Sequence, residues 1–380
     1  MELDVRGIES NVGREIYITA RPEPGRSLIE QGHEAFGGIA AVLRAQGAWI
    51  CQERVFTSKG GMELLSPVRG QAYGELDDGV DPTWLVAGPD PALRGVQVYA
   101  LTLPARPKPL AVDAVPYGRL IQHAGCRWVT ASALPARGSG SGETQAFTAF
   151  EQAESLLKQA GGDLGHVART WFFLDGILAW YNGFNDTRSR FLAERHLLSP
   201  ASDGQLPAST GIGVPPATSA KCLMDLIAVV GNGDCPRYPT ECVCKHPAAG
   251  KQQSAYDYGS SFARASTICT VAGRTVFVSG TAAIDAQGAT CHVGDIDGQI
   301  QMTLDCTNAV LDDLRCSRSD VVQAVAYCKT AEVEARFRQR QVETRMSDWP
   351  WLIVRGDICR DDLLFEAEVT ACVGARALSP

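Results

Sequence analysis

The sequence predicts an α+β fold of three fused, divergent units, each a mixed sheet with helices on one face, packed as an intramolecular pseudo-trimer. Three observations carry this reading. The chain has 380 residues, too many for one small core, with the 45% apolar and 21% charged composition of a globular protein. One succession of strand-period and helix-period segments recurs three times at a spacing of roughly one hundred residues. Each copy has helices enough to cover one face of its sheet, which leaves the other faces to bury against one another.

The first copy is the weakest. Residues 15–23 (EIYITARPE) read as a strand, 34–47 as a helix stopped by Gly47, 49–56 as a strand and 82–101 as a closing strand pair. Its second helix reads as short or absent. The middle copy runs strand 126–134, helix 144–164 with a Gly-Gly stop, strand 166–174, helix 180–195 and closing strands 207–214 and 221–231. Phe147, Phe150, Ala153, Leu156 and Leu157 line one face of its first helix. The third copy repeats that order: strand 275–284, helix 298–314, strand 321–329, helix 331–346, closing strands 349–359 and 363–374. The expected division is 1–110, 111–232, a Pro/Gly/Cys-rich insertion at 233–254, and 255–380 as the catalytic unit.

The net charge is -8 and no run of Lys and Arg occurs, which argues against a nucleic-acid or anionic-membrane partner. Residues 1–20 lack the basic-then-apolar pattern of a signal peptide, and no apolar run has the length of a membrane span. The thirteen cysteines are odd in number, and several sit singly in apolar runs, as reduced cytoplasmic cysteines do. Cys235, Cys242, Cys244 and His246 lack paired C-x-x-C spacing, so the insertion reads as a linker and no metal is expected. The GSGSGE stretch at 138–143 lacks the ending of a phosphate loop and reads as a turn.

The strand at 363–369 poses a question. Leu364, Glu366 and Glu368 fall on one face, and Leu363, Phe365, Ala367 and Val369 on the other. Aligning the closing strands sets Leu223 against Glu366, Asp225 against Glu368 and, approximately, Gln97 against Glu366. Only the last copy then has a carboxylate at the Glu366 position, so a role common to all three units does not explain it. Glu368 reads as facing a helix or solvent. In 254–265, Tyr256, Tyr258, Ser260, Phe262 and Arg264 share a face at strand period, either as a cradle for a planar carboxylated ring or as core.

The third unit resembles the YjgF/RidA family through 276–288 (VFVSGTAAIDAQG), 321–329 and the acidic closing strand. That family forms homotrimers with sites between subunits. Most of the chain from Glu15 onward is similar to the chorismatases, the FkbO-like enzymes. The similarity rests on RTWFFL (169–174), STGIGVPPA (209–217), SAYDYGSSFARA (254–265), SGTAAI (279–284) and DICRDDLLFEAE (357–368), in one order. It implies cofactor-independent cleavage of the enolpyruvyl ether of chorismate, with release of pyruvate. The other product is 3-hydroxybenzoate or 3,4-dihydroxycyclohexa-1,5-diene carboxylate. This chemistry calls for an acid that protonates the terminal methylene, and Glu366 on its apolar strand suits it. Arg169 and Arg264 are the candidates for the substrate carboxylates; the other reading of each is an internal ion pair. The YjgF pattern has an Arg about fifteen residues before the acidic strand, where this chain has Trp351, and this removes the usual carboxylate partner. The resemblance further implies that Cys359 helps to set the product, with Ala282 or Ala283 shaping the pocket, and it leans to 3-hydroxybenzoate. Tyr258 completes the expected substrate-binding set, and a monomer is expected. An imine deaminase and a non-catalytic binder of aromatic acids are the competing readings.

Overall fold

The computed structural model describes residues 1–135, 139–198, 206–231, 243–255, 259–344 and 348–378. Three six-stranded sheets repeat one topology. The first contains β1 (Glu2–Glu9), β2 (Arg14–Arg21), β3 (Ala48–Thr57), β4 (Thr83–Val86) and β5 (Gly95–Thr102), with α1 (Leu28–Gln46) and α2 (Gly61–Tyr73). The second contains β6 (Lys108–Val112), β7 (Val115–His123), β8 (Cys126–Leu134), β9 (Val167–Leu174), β10 (Ala208–Ile212) and β11 (Cys222–Val229), with α3 (Gly142–Gln159) and α4 (Ile177–Glu194). The third contains β12 (Val243–His246), β13 (Ala265–Cys269), β14 (Arg274–Ala282), β15 (Val321–Cys328), β16 (Trp351–Arg355) and β17 (Phe365–Cys372), with α5 (Ile296–Asp313) and α6 (Ala331–Thr344). A short strand, β18 (Arg376–Ala377), returns to the first sheet beside β1.

The strand orders β18-β1-β2-β5-β3-β4, β6-β7-β8-β11-β9-β10 and β12-β13-β14-β17-β15-β16 correspond position by position. Each ends in a parallel pair, β3–β4, β9–β10 or β15–β16. The three units therefore form an intramolecular pseudo-trimer of one repeated α+β fold. The helix α2 is a full helix, contrary to the sequence expectation. Pro67 and Gly70 lie inside it and mask its period, while Leu65, Val68 and Tyr73 bury its inner face.

Each unit has its own sheet–helix core, and a fourth apolar cluster joins the three sheets at the centre, with Phe56, Phe173 and Tyr327 among its members. Cross-strand register then equates the closing strands. Gly95 pairs with Phe56, Leu223 with Phe173 and Glu366 with Tyr327. Two residues on, Gln97 pairs with Arg54, Asp225 with Trp171 and Glu368 with Val325. Gln97 is thus the counterpart of Glu368, and Gly95 that of Glu366, which corrects the approximate alignment above.

Glu368 does not face a helix or solvent. Its Oε2 accepts from Arg169 Nη2 at 2.9 Å and its Oε1 from Trp171 Nε1 at 3.1 Å, all three side chains buried. Asp225 accepts from Arg54 Nε at 2.8 Å, Thr83 Oγ1 at 2.5 Å and the Ala133 amide at 2.9 Å. The Arg54 guanidinium lies 3.7 Å from the Trp171 ring centroid. Each ion pair crosses a boundary between units, where a lone buried charge would be costly. Asp225→Leu, which strands Arg54, is expected to lower the unfolding free energy in urea by ~3–5 kcal/mol, and the Arg54→Met/Asp225→Leu pair to recover most of that loss.

Candidate active site

Glu366 lies on β17, opposite Ala282 of β14 and Tyr327 of β15, and is 4% exposed. Its carboxyl reaches a cleft between the middle and third units. That cleft holds about 530 Å³ of space, its open mouth included. The third unit contributes Glu366, Ala282, Arg264, Cys359 and Arg360, and the middle unit Tyr181, Arg188 and Ser209. Gly280 makes room for the acid: a Cβ there would lie 2.1 Å from Glu366 Oε1. Glycine is needed here for close approach rather than for backbone freedom.

Burial pushes the Glu366 carboxyl up to about 8, helped by the Glu368 charge and opposed by Arg169 and Arg264. Among the described residues no group hydrogen-bonds its side chain. A neutral carboxylic acid therefore stands at the cleft wall near pH 7, able to donate a proton to whatever the cleft holds.

The cations come from two units. Arg188, on α4, is 3% exposed. Its Nη2 donates to Asn185 Oδ1 at 2.7 Å and its guanidinium lies over the Phe184 and Phe262 rings. No carboxylate among the described residues pairs with it, and its buried Nε has no hydrogen-bond partner. Burial lowers its basicity, with Tyr181 and Cys359 acting the other way. Among the described residues this buried guanidinium thus has no carboxylate counter-ion, and its free N–H can receive an anion. Arg264 faces the same cleft, its Nε held by the Gln253 carbonyl at 2.9 Å. Burial raises the Tyr181 phenol well above its ordinary value and pushes the Cys359 thiol up to about 12. Cys359 is therefore a neutral wall residue and no thiolate nucleophile.

The residues expected from sequence divide. Glu366, Arg264, Cys359 and Ala282 line the cleft. Arg169 does not: it is committed to Glu368, and its Nη2 also donates to Thr210 Oγ1 at 2.5 Å. Ala283 is fully buried and its neighbours Ala282 and Ile284 line the cleft instead. Tyr258, with Tyr256, lies outside the described residues, as do Cys235 and Cys242 of the insertion. The segment 259–264 is a loop, not a strand, yet it brings Ser260, Phe262 and Arg264 to the cleft. Among the described residues no group of three or more His, Cys, Asp or Glu side chains could hold a metal ion, and no helix is long and apolar enough to cross a membrane.

Trp351 is no missing partner of this cleft. Register equates it with Ser209, since Trp351 pairs with Ala324 as Ser209 does with Thr170. The middle unit thus supplies this position to the Glu366 cleft. Trp351 turns to the first unit, where its carbonyl accepts from Arg21 Nη1 at 2.9 Å. Sequence reading also passed over Arg188, Tyr181 and Arg360. The signal available for Arg188 was a guanidinium on the side of α4 that carries Phe184 and Phe191.

The folded value of Glu366 lies above the ordinary carboxyl value of 4.5, so folding favours its neutral form. The stability this provides is complete below pH 4.5 and is lost as pH rises through 8. Buried Glu15, pushed up to about 7, adds a loss of the same sign. Between pH 5 and 9, wild type is expected to lose more unfolding free energy in urea than Glu366→Gln does, by on the order of 3–5 kcal/mol.

The family model described as Endoribonuclease L-PSP matches residues 260–377, the third unit. No curated protein matches the chain in sequence. Among solved structures, a chorismatase crystal structure is 19% identical and aligns over 96% of this chain and 100% of its own, with a TM-score of 0.64. Single-unit proteins also align: a putative endoribonuclease of Thermotoga maritima (20% identical, 34% of this chain, 96% of that one, TM-score 0.28) and the YjgF gene product of E. coli (19%, 29%, 87%, 0.23). The chain therefore shares the whole fold of the solved chorismatase, and its third unit carries the sequence signature of the Endoribonuclease L-PSP family.

Proposed function

We propose that the protein is a chorismatase, which cleaves the enolpyruvyl ether of chorismate and releases pyruvate. One observation carries the reading: among the described residues a neutral, buried Glu366, free of hydrogen bonds, shares a cleft with Arg188, a buried cation with no carboxylate partner. An acid beside an unsatisfied anion site suits a dicarboxylate whose ether must be protonated. The shared fold with the solved chorismatase supports the same reading.

Glu366 donates its proton to the terminal methylene carbon, and an oxocarbenium ion forms at the ether carbon. Arg188 and Arg264 hold the two carboxylates, so the cation develops in one place rather than drifting. Two fates conserve atoms. Water adds to the cation and the hemiketal collapses to pyruvate and the dihydroxycyclohexadiene acid, returning one proton to Glu366. Alternatively, the neighbouring ring hydroxyl displaces the activated group at the ring carbon. Pyruvate leaves as the hydroxyl oxygen bridges the two ring carbons and its proton returns to Glu366. The oxygen's original C–O bond then opens, and a proton shift to oxygen from the ring carbon that keeps it gives 3-hydroxybenzoate, with no net water consumed. Cys359 and Ala282 occupy the wall on which that choice turns, and we assign 3-hydroxybenzoate as the product.

The test is pyruvate release from chorismate, with chromatography of the aromatic fraction. Glu366→Gln is expected to lose at least ~10²-fold in turnover with the fold retained. Near-normal turnover by that variant, or no pyruvate from wild type, removes the reading; the latter result would favour a non-catalytic binder of aromatic acids. Cys359→Ala is expected to shift the product toward the diene acid. An unchanged product ratio overturns the role of Cys359 and leaves ether cleavage standing.

A further inference from the structure

Beside the Glu366 cleft lies a second, more open cavity of about 650 Å³, lined by Glu143, Trp180, Asn182 and Asp361 among others. Three residues line both spaces: Tyr181, Cys359 and Arg360. They form the threshold between them. Among the described residues that line the outer cavity, Arg360 is the one cation, set against Glu143 and Asp361. Its Nη1 donates to the Gly288 carbonyl at 2.7 Å and lies 3.5 Å from Thr290 Oγ1. No carboxylate among the described residues pairs with it. Thr290 in turn donates to Asp362 Oδ1 at 2.9 Å, which ties the arginine's loop to the 288–290 turn.

We propose that the outer cavity is the entrance to the Glu366 cleft, and that Arg360 receives the carboxylate of an incoming aromatic acid at the threshold. The idea rests on the reading of the cleft as a carboxylate site. The chain carries a net charge of -8, and the entrance shows the carboxylates of Glu143 and Asp361, the latter 3.7 Å from Lys329 Nζ, so an anion approaching it meets a net negative surface. A half-buried, acid-free guanidinium at the inner end reverses that field where the path narrows. It then leaves Arg188 and Arg264, deeper in, to take the bound acid over. Chorismate brings two carboxylates to these three arginines, which permits stepwise transfer in which one carboxylate stays paired while the other moves.

Charge at an access route governs association more than chemistry, and its influence fades with salt. The measurement is stopped-flow association of benzoate, read by tryptophan fluorescence, at low and at high ionic strength. Arg360→Gln is expected to slow association about tenfold at low salt, with the deficit shrinking at high salt, and Arg360→Lys to restore most of it. With chorismate, the loss in kcat/KM should exceed the loss in kcat. Asp361→Asn changes a side chain that is 90% exposed and should speed association modestly, an opposite sign that a folding defect would not give. Unchanged association in Arg360→Gln, or a deficit equal at both salts, overturns the proposal. Pyruvate release from chorismate keeps the two ideas apart. Turnover with Arg360-independent association retires the entrance and leaves the enzyme; Arg360-dependent association without turnover retires the enzyme and leaves the entrance.

Discussion

Two buried ion pairs at the meeting of the three sheets constrain everything built around them. Arg54 with Asp225, and Arg169 with Glu368, each join one unit to the next. Removed from water, such charges survive only when matched, so the units must dock in one register. That register is what brings α4 and β10 of the middle unit against β14 and β17 of the third. The cleft at Glu366 is a by-product of this docking, since neither unit has it alone. Any other register would leave a buried charge unmatched, at a cost of several kcal/mol.

Fusion makes such pairing possible. In a symmetric trimer of identical chains, a residue on the axis-facing strand appears three times, and like charges would crowd together. Here Gln97, Asp225 and Glu368 occupy one register position and differ in charge. The same freedom acts two residues earlier, at Gly95, Leu223 and Glu366. At Gly95 a side chain would meet Leu352 Cδ1 at 2.5 Å and the Ala20 carbonyl at 2.6 Å, so the corresponding place between the first and third units is filled. Ionic links between Arg94 and Glu334, and between Arg355 and Asp90, tie that boundary together.

What was legible in the sequence follows from the range of each signal. Period and order along the chain are local, and they disclosed the three copies and the place of Glu366 on its strand. The helix α2 was hidden because Pro67 and Gly70 break the local pattern without breaking the helix. Arg169 could be read either as a ligand for substrate or as an internal partner, because its mate Glu368 is 199 residues away and nothing nearby decides between them. Arg188, Tyr181 and Arg360 were missed for a related reason. They acquire meaning only when α4 of one unit meets a loop of another, and no periodicity reports a contact across that boundary. Trp351 was read as part of the Glu366 cleft, but the equivalent position of that cleft is Ser209, on β10 of the middle unit.

The three unequal positions Gly95, Leu223 and Glu366 also bear on how such a molecule can change over generations. In a homotrimer one altered codon alters three clefts at once, and an interface change that costs about 1 kcal/mol per site is felt three times. In the fused chain the same alteration is felt once. A harmful change is diluted, and a useful one can be tried in one cleft while the other two keep the assembly standing. A chain of three unequal units can thus alter one boundary while the packing at the other two is kept.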